Sequence, residues 1–232
     1  MSKIMWKPGT FLYPIPAVMV SCGTMLKSNI ITVAWTGIIN TNPAIIYISV
    51  RPSRFSYQII KKNKEFVINF TDEKLVYQTD WCGIKTGSKI DKFKEMKLTK
   101  EKAKFVNCPM IKESPVSVEC KVIEIKEFES HHMFIAEVLA IHADTRFIDS
   151  NGAFDISKCN LTAYANGGYY KLGRKIGSFG YSVRKNRIKK SNSNKIDKRK
   201  NNIIKTYHIK SRNSKQNINK YNNKRNKKNN KK

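Results

Sequence analysis

The chain has 232 residues and carries 45 Lys+Arg against 17 Asp+Glu, a formal net charge of +28 at pH 7. The excess is uneven: from Arg184 onward there are 20 basic residues and one acid, Asp197. The remaining 1–183 suit one domain with a substantial core and no second is expected, while five solitary cysteines, with no Cys-x-x-Cys pair, fit reduced thiols better than a disulfide framework or a zinc site.

In chain order, the N-terminus Met1-Ser2-Lys3-Ile4-Met5-Trp6-Lys7 lacks the apolar run of a signal peptide. The apolar stretch 11–22 is short and broken by Pro14 and Pro16, so the expectation is a cytoplasmic protein with no membrane insertion. Residues 17–22 and 29–35 read as strands. At 44–50 the run of Ala44, Ile45, Ile46, Tyr47, Ile48 and Val50 reads as a buried strand. Pro52 ends its ladder, and Ser53 is placed to cap a helix over 54–62 with Phe55, Ile59 and Ile60 on one face. A strand follows at 65–70, then helical patterns at 73–82 and, more weakly, at 89–95. Two long strands, 116–128 and 132–143, flank a turn at Glu129-Ser130-His131. The first alternates at Val116, Val118, Cys120 and Val122, with Glu119, Glu124, Glu127 and Glu137 marking wet faces. Asn151-Gly152 marks a turn, and Tyr164, Tyr169 and Tyr170 flank Gly167-Gly168 as a lid, a core cluster or an interface. Many strands with few helices predict a β-rich α+β fold, a closed barrel with peripheral helices.

The junction after 44–50 carries the first chemical signal. Arg51 and Arg54 beside the open amides of a helix start suit a phosphate, by bidentate geometry and by dipole. Two surface arginines beside an ordinary cap give the same spacing. No dinucleotide, P-loop, nucleophile-elbow or zincin motif is present. His131, His132, His142 and His208 lack a third ligand at matching spacing, so no metal is expected. With no protein acid, base or nucleophile evident, catalysis by the chain itself is not expected, and a bound cofactor would carry the reaction. At Asp80-Trp81-Cys82-Gly83, core packing with a glycine helix cap is the plainest reading, and Cys82 has no resolving cysteine nearby.

The tail, 184–232, has no Gly, Pro, Trp, Phe, Leu, Val, Met or Ala and is expected to be disordered. It reads as an unselected Lys/Asn extension or as a nonspecific arm for nucleic acid or another polyanion. Only Tyr207 and Tyr221 offer stacking surfaces, which disfavours a specific nucleic-acid module.

Several blocks in fixed order resemble the flavin reductase-like family of FMN-binding split barrels, in particular its flavoredoxin branch. They are Trp6-Lys7-Pro8-Gly9-Thr10, Tyr13-Pro14, the stretch 29–57, Asp80-Trp81-Cys82-Gly83, Asp91-Lys92-Phe93, Glu113-Ser114-Pro115-Val116, Met133-Phe134-Ile135-Ala136-Glu137-Val138 and Gly180-Tyr181-Ser182-Val183. The resemblance implies a split β-barrel domain over 1–183 that binds FMN. By it, Arg51, Ser53 and Arg54 hold the ribityl phosphate, and Thr32, Ala34, Trp35, Thr36 and Gly37 line the isoalloxazine, with Asn29 in the same pocket. It also sets Trp81, Cys82 and Gly83 beside the flavin, while Lys89 and Asp91, on a flexible segment with Gly87 and Ser88, are within reach of either the phosphate or a dimer partner. Its implied activity is electron transfer, as an NAD(P)H-dependent flavin reductase or a flavoredoxin-like carrier serving another redox protein, in a homodimer. A non-catalytic FMN sensor and a nucleic-acid tether acting through the tail are the competing readings.

Overall fold

The computed structural model describes residues 1–184, so the basic tail lies outside the described residues from 185 on. The body opens with β1 (Ile15–Pro16), β2 (Val18–Gly23), β3 (Ser28–Val33), β4 (Thr36–Thr41) and β5 (Ala44–Val50). Helix α1 (Phe55–Asn63), β6 (Glu65–Phe70), α2 (Val76–Ile84) and α3 (Lys92–Glu95) follow. Then come β7 (Lys100–Glu101), β8 (Met110–Ile111), the long β9 (Val116–Glu127) and β10 (His132–Ala143), and finally β11 (Thr162–Ala165) and β12 (Gly168–Lys171).

Seven strands pair antiparallel in the order β3-β2-β6-β9-β10-β5-β4. The two edges of that sheet, β3 and β4, are consecutive in the chain and separated only by Ala34 and Trp35. So short a link reaches about 10 Å, so the edges must return to each other and the sheet rolls into a barrel. β3 and β4 do not pair, which leaves the barrel split along that seam; the Ser49 amide donates to the Trp35 carbonyl at 2.8 Å and pins its corner. Val20, Ile48, Phe66 and Phe134 fill the interior, and α2 and α3 close a second cluster over β3 through Met19, Ile30, Leu75, Cys82 and Phe93. The chain thus forms the expected β-rich split barrel. Among the described residues no helix is long and apolar enough to cross a membrane. From Lys175 the chain forms a separate unit, in which a 3-10 turn at Tyr181–Val183 follows Gly180 at φ +76°.

Several local expectations are corrected. The strand read over 29–35 ends at Val33, and β4 was not anticipated, because a register shift between Ile38 and Asn40 destroys its period of two. β5 has the expected bounds, yet only Ile48 and Val50 are fully covered while Ala44 is exposed; an apolar run does not say what covers it. Ser53 is not the cap of α1. Arg54 holds that position in an extended conformation with no side-chain cap, and its amide closes a turn on the Arg51 carbonyl at 3.0 Å. Gly83 is not a helix cap either: α2 runs past it, and a Cβ there would lie 3.2 Å from that of Thr32, so glycine serves close packing of α2 on β3. Glu119 is not on a wet face but fully buried. Gly167-Gly168 is not a loose diglycine, since Asn166 and Gly167, at φ 45° and 88°, make the two-residue hairpin turn between β11 and β12.

Candidate functional site

Two adjoining pockets open where β3, the β5–α1 junction and α2 converge. The smaller, about 200 Å³, is lined by Asn29, Ile31, Arg51, Ser53, Arg54, Phe55, Ser56, Cys82, Gly83, Lys85, Thr86, Gly87 and Lys92. The larger, about 470 Å³, includes Tyr13, Thr32, Ala34, Trp35, Asp80, Ile84, His131, Tyr164 and Tyr169 in its wall. Ile31, Arg51, Arg54 and Gly83 belong to both, so the pockets are two arms of one bent cleft.

The small arm is cationic. Arg51, Arg54, Lys85 and Lys92 line it, and none of its described lining residues is an acid. Lys92 is 3% exposed, with Nζ donating to the carbonyls of Ile30 at 2.8 Å and Cys82 at 2.7 Å. Those two bonds leave one of its three ammonium hydrogens and its whole charge uncompensated by a carboxylate. Burial chiefly pulls its pKa below the ordinary lysine range, Arg54 adds to the fall, and Cys82 and Cys22 oppose it. Arg54 also donates to the Gly83 carbonyl at 3.3 Å, so two cations meet the last turn of α2, where the helix dipole favours them. Across the arm the first turn of α1 presents its open amides, as any helix start must. Asn29 Nδ2 donates to Ser56 Oγ at 2.7 Å and ties β3 to that turn. The loop after α2 comes so close that a Cβ on Gly87 would sit 2.0 Å from Asn29 Oδ1.

The large arm has aromatic walls. Trp35 stacks on His131 with centroids 4.3 Å apart, and Tyr164 meets Tyr13 at 6.3 Å and Tyr169 at 5.4 Å. Tyr169 donates to Asp80 at 3.2 Å; burial first, then that carboxylate, push its phenol up to about 12. Thr32 Oγ1 donates to the Thr79 carbonyl, holding α2 against β3.

Of the residues singled out in the sequence, Asn29, Arg51, Ser53, Arg54, Cys82 and Gly83 line the small arm, and Thr32, Ala34 and Trp35 line the large one. Thr36 and Gly37 instead line an apolar cavity that reaches into the barrel core at Val18, Ile68 and Val118, because β4 carries them past the seam. Trp81 packs into the cluster beneath α2, and Lys89 is exposed outside the cleft. Asp91 caps α3, accepting from the amides of Phe93 and Lys94, and so delivers Lys92 rather than Lys89 to the cleft. No spacing rule marks Lys92, since a lysine at the first turn of a helix ordinarily faces water. His131, in the turn before β10, lines the large arm, a placement that its lack of metal-ligand spacing does not signal. Burial pushes the Cys82 thiol up to about 11 and Cys22 up to about 12, which makes both unreactive at neutral pH.

A split barrel whose seam opens into a cationic arm and an aromatic arm has the form of a receptacle for a flat molecule with an anionic extension. The chain belongs to the flavin reductase like domain family, which matches residues 10–173. It is 30% identical over 150 residues to an uncharacterized protein of Pyrococcus abyssi, spanning 65% of this chain and 83% of that one. Its fold is similar to a flavoredoxin of Desulfovibrio vulgaris, with a TM-score of 0.74 and 27% identity over 79% of this chain and 100% of that one. A flavoredoxin from Methanosarcina acetivorans matches over the same shares with a TM-score of 0.71 and 27% identity. Within the family the chain stands with the flavoredoxin branch.

Proposed function

We propose that the bent cleft binds FMN and that the protein is a flavin-dependent oxidoreductase. The observation that carries this reading is the acid-free cationic arm running into an aromatic one. FMN matches that arrangement, having a flat ring and a phosphate on a flexible chain. Arg51, Arg54, Ser53 and Lys92 would hold the phosphate, and Thr32, Ala34, Trp35 and Tyr164 would flank the ring. When bound, the flavin supplies the hydride or single-electron exchange that the side chains lack. Arg51 and Arg54, shared by both arms, set positive charge beside the ring as well as the phosphate, which favours added negative charge there. The aromatic walls would keep water from the ring faces, and an electron donor would approach through the chamber's mouth. That donor is a nicotinamide nucleotide if the protein is a reductase, or another redox protein if it is a carrier, in either case in the cytoplasm.

The functional unit in this proposal is the split-barrel domain over 1–183, acting as a homodimer. Support for a second copy comes from the rim of the apolar cavity of about 500 Å³, bordered by Ile45, Ile46 and Ile141, with Ile38 80% and Ile141 67% exposed. The purified protein should be yellow with oxidised-flavin absorbance, and a colourless chain that refuses added FMN would defeat the proposal. Bleaching by NADH or NADPH without oxygen separates reductase from carrier. Arg51→Ala should weaken FMN by about tenfold or more and riboflavin little, since only FMN offers the phosphate.

A further inference from the structure

His131 touches both arms of the cleft. Its ring stacks on Trp35 of the aromatic arm, and its Nε2 accepts from Arg51 Nε of the cationic arm at 3.4 Å. Its Nδ1 lies 3.0 Å from Ser130 Oγ. That network requires a bare Nε2, so the imidazole is neutral with its proton on Nδ1.

We propose that His131 is a positioning residue that makes the grip of the cationic arm on a phosphate-class dianion proton-linked: a bound dianion engages Arg51, and a proton from solvent takes the place of the Arg51 hydrogen bond on Nε2. This rests on the anion half of the proposed function. Without a dianion, a protonated His131 would stand as a further cation beside Arg51 and Arg54. Burial holds its pKa below the ordinary histidine range, and those two arginines lower it further. A dianion between the arginines reverses that field and raises the pKa, so binding takes up a proton. The sign follows: affinity is lowest above the bound-state pKa, rises as pH falls through it, and levels off below the free-state pKa. Other charged groups near the ring do not substitute for it. Asp80, the one carboxylate in the described wall of the large arm, is held by Tyr169, and Glu129 is exposed in the same turn. His132 points elsewhere, to the Tyr57 hydroxyl at 2.7 Å and Glu127 at 3.4 Å.

A phosphate monoester titrates near pH ~6 itself, so the probe is sulfate, which stays doubly charged over the range tested. The His131 imidazole resonance, assigned by its loss in His131→Gln, is titrated by NMR with and without saturating sodium sulfate at constant ionic strength. The pKa should rise with sulfate, and a rise of one unit corresponds to about tenfold tighter sulfate binding well below the free-state pKa than well above the bound-state pKa. In His131→Gln that pH dependence should flatten while the melting temperature holds. An unmoved pKa, or the same pH profile in the variant, overturns the proposal; should His131→Gln not fold, His131→Asn serves for both the assignment and the profile. If neither sulfate nor FMN binds at any pH, the anion site itself fails, whereas binding of both without proton linkage refutes only the part assigned to His131.

Discussion

Replacing Glu119 with alanine should destabilise the barrel without touching the cleft. Its buried carboxylate holds the loop before β8: Oε1 accepts from the Lys104 amide at 2.8 Å and from His142 Nε2 at 2.5 Å. Oε2 accepts from the amides of Phe105 at 2.6 Å and Val106 at 3.0 Å. Burial opposes its ionisation, but these four donors outweigh burial and hold the carboxyl below the usual range. Removing an acceptor from a buried donor costs about 1–3 kcal/mol. The Val106 amide bears that in full, while those of Lys104 and Phe105 lie nearer the surface, where water can replace part of the loss. A total of about 3 kcal/mol follows. For a domain of this size that lowers the melting temperature by about 6–12 °C, read by circular dichroism. Because the native pKa is depressed, this stabilisation is present above the unfolded value of about 4.3 and disappears as pH falls through the native one. Variant and wild type should therefore converge in acid. A loss under about 0.5 kcal/mol at pH 7, or weakened FMN binding at unchanged stability, would refute the assignment of Glu119 to the loop alone.

Gly87→Ala should weaken FMN and lower stability by about 1–3 kcal/mol, since its Cβ would collide with Asn29; equilibrium titration and melting together check it, and an unaffected protein would show that the loop does not pack as described. Lys92→Met keeps the bulk and removes the buried charge, and should cost FMN about 10- to 100-fold in affinity while riboflavin changes far less. Equal losses for both ligands would make Lys92 a clamp on α2 and not an anion anchor. Ile38→Asp alters an exposed edge-strand residue and should shift monomer stability by no more than about 0.5 kcal/mol while abolishing the dimer in sedimentation; a wild type that sediments as a monomer removes the basis of that expectation.

What the sequence disclosed follows from how local each signal is. β6 and β10 appear with their expected bounds because flanking turns and apolar patterning sit in the same few residues. The Arg51–Arg54 corner was legible because strand end, proline and helix start are adjacent. Glu119 misled because alternation assigns a face but does not reveal that the loop around 104–106 folds over that face with three amides aimed inward. Lys92 was missed for a related reason: its carbonyl partners, Ile30 and Cys82, lie on two other elements and offer no side-chain pattern. Thr36 and Gly37 are ring-lining residues by the resemblance alone, and no local pattern tells that β4, which carries them, turns them toward the apolar cavity instead.

The position of the cleft is a consequence of how the barrel closes. A sheet whose first and last strands are joined by Ala34 and Trp35 must expose a corner at its seam, and the Ser49–Trp35 hydrogen bond brings the end of β5 to that corner. Arg51 and Arg54 therefore arrive beside Trp35 through topology, before any contact between their side chains is considered. The cationic arm is then built on strand and helix ends held by Lys92 and Asn29, which fixes charge in place. The aromatic arm instead draws Trp35 and His131 from turns, Tyr164 and Tyr169 from a small separate sheet and Tyr13 from the segment before it. Turns move more readily than strand ends, so an anionic extension would be anchored on the rigid side, while adjustment to a second molecule over the ring would fall to Trp35 and His131.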